Sequence, residues 1–528
     1  MGLWSVYFIA KLLLYAGGYI DFSPWLNLAF AAFTALPPKN GRQRFAKNLL
    51  AVPLGIILLY HDSWLPPITR VLSQAQNLHS FTLSYLIELL GRFISWKVLA
   101  ELAVMLVVYA LARRKLRLST FVFIAIVLVM VLPHGWSSQQ PGVGAIALAL
   151  ADIGSPQPRE VDARNMRPEA LDTLLAQFYA KEKLRQVRFP PAAQDAAPYD
   201  ILLLHVCSLS WDDLQAVKRD RDPLFSRFDI VLYNFNSGAS YSGPAAIRLL
   251  RGNCGQTEQK QLYDAASPEC LVLDGLQNAG FEPHWLMNHD GQFGNFFGDV
   301  RDRGGVAVAL ENNSGALLAQ QAFDGSPIYS DYSTLSRWWA KREQYTAARV
   351  ALYYNTVTLH DGNRVIGTGH TDSSYGARLA QFINDIGRFL DDLQRSGRRV
   401  VVVFIPEHGA ALRGDRRQIS GLREIPTPAI LHVPVGILLV NATRSAQSAQ
   451  QRIDTPTSYI AVNELLSRLI ADNPFAKPSL SLAAYTQSLP QTDSVSENEG
   501  TTMMQIGRQY MMRTPDGAWS SWDASTTQ

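Results

Sequence analysis

Apolar residues are spread along the chain in two different ways. Up to about residue 135 they come in long runs with few breaks; beyond about 155 they come in short runs between turn residues. Five long runs, at about 3–20, 23–36, 46–60, 98–112 and 118–132, predict helices near the roughly 20 apolar residues that a bilayer crossing takes. The second run is short, and the first carries Lys11. A cleaved signal peptide is the rival reading of the first; the runs that follow and the lack of a small-residue cleavage site speak against it. Between 63 and 96, Trp64, Phe81, Phe93 and Trp96 mix with polar residues, as in a plain loop or in a helix lying at a membrane surface.

In the second half the pattern changes to short apolar runs alternating with amphipathic stretches. Runs at 201–206, 229–233, 349–358 and 400–405 predict buried strands, and 430–433 and 436–440 are further candidates. Helical spacing marks 168–186, with Pro168 at its first turn, and also 270–279, 377–393 and 459–470. Apolar strands alternating with helices predict a layered α/β domain with a mostly parallel central sheet. From about Ser481 the chain turns polar, and two short runs around Pro515-Asp516-Gly517 predict a hairpin packed on the sheet edge. The expected organisation is therefore a transmembrane domain at 1–135, a linker at 136–167 and an α/β domain at 168–528.

Charge orients this arrangement. The chain of 528 residues carries a net charge of only +3, so no global basic field argues for nucleic acid. Local charge matters more. Lys39, Arg42, Arg44 and Lys47 lie between the second and third runs, and Arg113, Arg114, Lys115 and Arg117 between the fourth and fifth. By the positive-inside rule both loops are cytoplasmic, which puts the N-terminus inside and everything after Leu132 outside the cytoplasm. In such an oxidising compartment Cys254 and Cys270, close in sequence and in turn-rich surroundings, predict a disulfide. Cys207 is left over at the end of an apolar strand, where a buried structural thiol is the ordinary reading.

Ligands of parallel α/β sheets collect at the carboxyl ends of the strands. The first strand is followed by Cys207-Ser208 and the second by a hydroxyl-rich loop from Asn236 to Pro244. The 349–359 run leads into His360-Asp361, and 400–406 into Glu407-His408-Gly409. Each alone has a bland explanation: a Glu-His pair is more often solvated surface, and a serine-rich loop is usually a turn. Together they bring thiolate, imidazole and carboxylate, a donor set that suits Zn²⁺, to the same edge as a serine hydroxyl that a metal could activate. Ser237, Ser240 and Ser242 are all candidate nucleophiles. Ser242 is preferred because it directly precedes Gly243-Pro244 and a helix whose first amides can stabilise an anion. Asn288-His289-Asp290-Gly291 is either part of an acceptor groove or a structural turn, and His370, Asp361 and Asp372 are left as solvent-facing candidates.

These residues resemble the alkaline phosphatase/sulfatase superfamily. His205-Val206-Cys207-Ser208, with Trp211-Asp212-Asp213 after it, is similar to that family's first strand, with Cys207 where a carboxylate usually stands. Pro406-Glu407-His408-Gly409 resembles its Asp-His-Gly metal motif, and the stretch from Arg423 to Pro428 its basic, proline-rich segment. The departures themselves, together with Phe235 to Gln256, are similar to one group, the cellulose phosphoethanolamine transferases of bacterial cellulose synthesis, the BcsG family. That resemblance covers essentially the whole chain.

The resemblance implies a zinc enzyme of the inner membrane, working at the periplasmic face. Its donor would be phosphatidylethanolamine and its acceptor the glucose 6-hydroxyl of cellulose, with subunits of the cellulose synthase complex as partners. Cys207, Ser242, Glu407 and His408 would hold Zn²⁺, and Ser242 would carry a phosphoethanolamine-serine intermediate. His360 would serve as general acid/base, since imidazole titrates near working pH. Tyr241 and Arg423 would bind phosphate or sugar. The rivals are a phosphoglycerol transferase or sulfatase-like hydrolase of the same fold, and a non-catalytic scaffold of the synthase complex.

Overall fold

The computed structural model of the chain describes residues 2–17, 20–63, 81–83, 85–87, 91, 96–112, 117–131, 162–193, 197–366, 374–415, 417–444, 449–477 and 481–522. Much of the expected linker, Arg113, Arg114, Lys115, Trp64, Phe93, His370 and Asp372 lie outside the described residues.

Five helices stand where the five long apolar runs predicted them: α1 (Trp4–Ala16), α2 (Pro24–Ala35), α3 (Gly41–Asp62), α4 (Trp96–Ala112) and α5 (Leu118–Val131). Their lengths correct the expectation of five spans. Among the described residues no helix is long and apolar enough to cross a membrane. Four of the five have 17 residues or fewer, and the 22-residue α3 spends its first two turns on the polar GRQRFAK segment. Phe8, Phe30, Ala51, Val122 and Ile126 form the small core of this bundle. Its outer faces remain apolar: Ile56, Ile57, Val107, Leu111, Phe121 and Ile124 are all exposed.

The second half is built on a seven-stranded sheet. Its strands are β1 (Asp200–Cys207), β2 (Ile230–Asn236), β3 (Glu282–Met287), β4 (Val350–Thr356), β5 (Val400–His408), β6 (His432–Val440) and β7 (Gln451–Ile453). In space they run β7-β2-β6-β5-β1-β4-β3. All neighbours pair in parallel except β6, which is antiparallel to both β2 and β5. Successive residues of a strand face opposite ways, so the apolar runs feed two cores. Ile201 and Leu203 of β1 join the side covered by helices Ser242–Leu250, Val272–Asn278 and Tyr459–Ala471. Leu202, Leu204 and Val206 join the side covered by Asp331–Arg342 and Tyr375–Arg395.

Two expectations change. The candidates 430–433 and 436–440 are parts of one element: Ile430 and Leu431 close the helical turn Pro428–Leu431, and the strand runs on from His432. Pro434 and Gly436 disguise it. The ladder with β2 is irregular there, as a proline inside a sheet requires, and Phe228 lies against Gly436 with no room for a Cβ. The tail does not pack as a hairpin on the sheet edge. Strands Gln509–Arg513 and Trp519–Trp522 do pair, but with Val495–Asn498 and Thr501–Ile506 they form a separate four-stranded antiparallel sheet. Leu482, Tyr485 and Leu489, from the segment read as polar surface, are buried in the main core.

Candidate active site and metal centre

The carboxyl ends of β1, β2, β4 and β5 lie on one edge, as the strand pattern predicted, and the register at β1 and β5 shapes what they present. Val206 pairs with Pro406, but Cys207 pairs with His408, so Glu407 is an extra residue on its strand. On a regular strand Glu407 and His408 would point to opposite faces. A bulge of this kind re-aims one of them, and both turn toward Cys207. One donor atom from each of Cys207, Glu407 and His408 lies within 4.8 Å of the others, and all three residues are buried.

Ser242 opens helix Ser242–Leu250. Its Oγ is 3.3 Å from Cys207 Sγ and 3.4 Å from His408 Nε2. The rival serines are placed differently. Ser240 Oγ donates to Arg423 O at 2.7 Å, and Ser237 is fully buried with its hydroxyl unpartnered. Of the three, Ser242 alone has its hydroxyl in the Cys207–His408 cluster.

The environment of the cluster is dry. Burial, then the charge of Glu407, pushes the Cys207 thiol up to about 12. Burial likewise pushes Glu407 up to about 7. His408 is held well below its ordinary value by burial and then by Arg423. Its Nδ1–H donates to Gly409 O at 3.0 Å, which leaves the Nε2 lone pair facing Ser242. Asn355 donates to Glu407 Oε1 at 2.6 Å, while Glu407 Oε2 is buried with no hydrogen-bond partner. A thiol, a carboxylate with one orphaned oxygen and an imidazole with a free lone pair, all converging, fit a divalent cation such as Zn²⁺. Burial disfavours the ionised thiol and carboxylate and the protonated imidazole; a cation would favour the first two as anions and keep His408 neutral.

Around this set, Arg423 NH1 donates to Ser208 Oγ at 3.3 Å, and its buried Nε has no partner. Its guanidinium stands 5.3 Å from the Tyr241 ring, and the Tyr241 hydroxyl donates to Glu424 Oε1 at 2.7 Å. His360 lies outside the three-donor group, near enough for its charge to be felt at His408. Burial, then Arg423, lowers His360 to about 4, so it does not titrate near working pH as expected; at neutral pH it is a neutral imidazole. Its Nδ1–H donates to Asp361 O at 2.8 Å. Its ring stacks on Phe323, and Phe323 in turn meets Phe81 and Tyr85 from the segment between α3 and α4. Cys254 and Cys270 form a disulfide, and Cys207 is free.

Several residues that shape the site were not singled out from the sequence. Asn355 is the clearest, and its signal was available: an amide inside the otherwise apolar end of β4. His289, which the sequence offered as part of a groove or of a turn, supports Asn355 in turn. Its Nε2–H donates to Asn355 Oδ1 at 2.9 Å and its Nδ1 accepts from Gly291 N, so it backs the residue that holds Glu407. Asp213 ties down the far side: its carboxylate accepts from Ser210 N, Ser210 Oγ and Ala410 N, fixing the loop just after His408. Tyr375 fixes the other end of the site by donating to Ser208 O at 2.8 Å.

Comparison with known proteins places the whole chain. The family described as cellulose biosynthesis protein BcsG C-terminal domain matches residues 156–519, and the corresponding N-terminal domain family matches residues 4–131. The chain is 38% identical over 532 residues to cellulose biosynthesis protein BcsG of Salmonella typhimurium, covering 98% of this chain and 95% of that protein. It is also 38% identical over 533 residues to the Escherichia coli K12 protein of the same name, with the same coverage. Among solved structures it is similar to a protein of the alkaline phosphatase superfamily from Vibrio parahaemolyticus, at 13% identity and a TM-score of 0.49, over 68% of this chain and 90% of that one.

Proposed function

Because the chain belongs to the cellulose biosynthesis protein BcsG family, we propose that it transfers phosphoethanolamine from phosphatidylethanolamine to the 6-hydroxyl of glucose units in cellulose. The observation that carries this reading is the position of Ser242: a hydroxyl at a helix N-terminus, 3.3 Å from Cys207 Sγ and 3.4 Å from His408 Nε2. In the first step Ser242 Oγ forms a bond to phosphorus, and the bond from phosphorus to the glycerol oxygen breaks. Diacylglycerol leaves, its glycerol oxygen taking up the proton that Ser242 gives up, and a phosphoethanolamine-serine remains. In the second step the glucose O6 bonds to phosphorus and the serine oxygen leaves, taking up a proton. Two like displacements suit an enzyme that must move a charged group from a lipid to a polymer.

Cys207, Glu407 and His408, with Ser242 beside them, would hold Zn²⁺, which when bound would supply Lewis acidity toward the phosphoryl oxygens and lower the serine pKa. Asn355 and the Gly409 carbonyl keep Glu407 and His408 in ligand orientation. The first amides of helix Ser242–Leu250 and the unpartnered Nε of Arg423 stabilise negative charge on the phosphoryl group. Tyr241, held by Glu424, orients Arg423 and borders the phosphate or sugar. His360, neutral at working pH, acts as an acceptor of the acceptor hydroxyl's proton rather than as an acid.

The N-terminal helices anchor the protein in the bacterial inner membrane, with 168–528 as the periplasmic catalytic domain and 136–167 as the linker. The wide apolar faces of α3, α4 and α5 support this, since soluble proteins rarely expose so much contiguous apolar surface. Anchoring keeps the site beside its lipid donor, raising effective concentration without further contacts. Subunits of the cellulose synthase complex are the expected protein partners.

The test is peptide mapping of the full chain after incubation with labelled phosphatidylethanolamine or phosphatidylglycerol. A phosphoethanolamine adduct on the Ser242 peptide from the first donor alone is the expected result. Labelling only from phosphatidylglycerol, or an unchanged yield of modified cellulose with Ser242→Ala, contradicts the reading.

A further inference from the structure

A carboxylate stands against the backbone of the residue that follows the candidate nucleophile. The turn Asp299–Arg303 runs alongside helix Ser242–Leu250, and Asp299 Oδ2 approaches Gly243 so closely that a Cβ there would collide with it. At the other end of the turn, Leu250 fills the space beside Gly304. Three further contacts fix the turn: Val300 is fully buried, Gly304 N donates to Asp299 O at 2.7 Å, and Arg251 Nε donates to Arg303 O at 2.7 Å. Ser-Gly at 242–243 thus admits an acid beside the serine at a distance that any side chain at 243 would forbid.

Asp299 has no visible work inside the protein. Its carboxylate has no hydrogen bond or ion pair among the described residues, although it is partly buried. The charged groups around it are Arg303 and Asp302, on its own turn. Burial pushes its pKa up to about 6, Arg303 opposing the shift and Asp302 adding to it. It is ionised at neutral pH and lacks the paired cation that a partly buried carboxylate normally has.

We propose that Asp299 is the specificity residue for the donor headgroup, taking the ammonium of the ethanolamine while phosphorus sits at Ser242. The dimensions agree. Phosphorus and nitrogen of phosphoethanolamine are four single bonds apart, about 4–5 Å. An ammonium held by Asp299, beside Gly243, therefore leaves phosphorus within reach of the neighbouring serine. A carboxylate matched to an ammonium selects ethanolamine over a neutral glycerol headgroup, because losing the ammonium leaves the buried charge unpaired. This inference rests on the donor chemistry proposed above and deepens it.

The test is a cycle between residue and donor, run on the full chain in detergent. Phosphatidylethanolamine is compared with phosphatidylethanol, which keeps the phosphodiester but lacks the ammonium, for the wild type, Asp299→Asn and Asp299→Glu. The wild type is expected to prefer the ethanolamine donor in kcat/KM. Asp299→Asn should shrink that preference at least about ten-fold by losing activity on phosphatidylethanolamine alone. Asp299→Glu should recover part of it. An equal loss on both donors would assign Asp299 a structural role and overturn the inference, as would an unchanged preference in Asp299→Asn. Failure of the underlying donor chemistry has a different signature: wild-type protein that forms no adduct at Ser242 from either donor. Thermal unfolding of each variant, with bound metal measured on the same samples, separates misfolding from lost recognition.

Discussion

Two of the buried polar clusters among the described residues, one in each half, are built to opposite plans. In the helical half, Lys11 Nζ lies 2.8 Å from Asp62 Oδ2 and also donates to Asn27 Oδ1 and Leu58 O. Asn27 Nδ2 donates to Asp62 Oδ2 at 2.7 Å and to Ser23 O, and His61 Nδ1 sits 2.9 Å from Asp62 Oδ1. Opposite charges are matched and each polar atom of the three side chains has a partner. At the sheet edge, Cys207, Glu407 and His408 are all electron-pair donors, and Glu407 Oε2 has no partner. A satisfied cluster locks helices α1, α2 and α3 together. The unsatisfied one is open to a cation. The contrast shows why burial of charge alone does not identify a site: what distinguishes it is the kind of partner that the buried groups lack.

Substitutions should break the two clusters in different currencies. Ser242→Ala and Glu407→Gln should each reduce transfer about 10³-fold or more, read as turnover per folded protein, while leaving the fold intact. Lys11→Met should do the reverse. It strands Asp62 without its cation and should destabilise the helical half by about 3–5 kcal/mol, whereas Lys11→Met with Asp62→Leu should recover most of the loss. Denaturation in detergent checks this; a double variant no better than the single would deny that the pair is the lock.

Smaller effects sharpen the comparison at the sheet edge. Asn355→Ala should weaken zinc binding or activity about 10–100-fold by freeing Glu407, measured by competition with a chelator. The smallest effect is electrostatic. Burial pushes Asp213 up to about 6 against an ordinary 3.8, so the native state binds this proton more tightly than the unfolded state. Stability from this group is therefore fully present below about 3.8 and falls as pH rises through 6. The stability of the wild type relative to Asp213→Asn should accordingly increase between pH 7 and pH 5 in paired melts. A flat difference would mean that the carboxyl titrates normally.

How far the sequence disclosed this depends on what each element relies on. β1, β2, β4 and β5 are central and apolar on both faces, so continuous runs marked them, and the polar residues ending each run marked the site. β3 escaped notice because it lies at the sheet edge, where Pro283 and two half-exposed residues are tolerated. β7, with three residues, is too short to leave a pattern. The C-terminal sheet was legible only as a hairpin, because its other two strands are held by pairing rather than by apolar runs. At the site, residue types and order were visible. The bulge at Glu407, the support from Asn355 and the nearness of Asp299 to Gly243 were not, because register and contacts distant in sequence decide them.

The claim that the buried donor set is a cation site with a thiolate ligand is tested most directly by cobalt. Co²⁺ titrated into the full chain should bind with one equivalent and produce a thiolate-to-cobalt charge-transfer band that disappears in Cys207→Ser. Cobalt bound without that band, or a band that survives the substitution, would contradict the account.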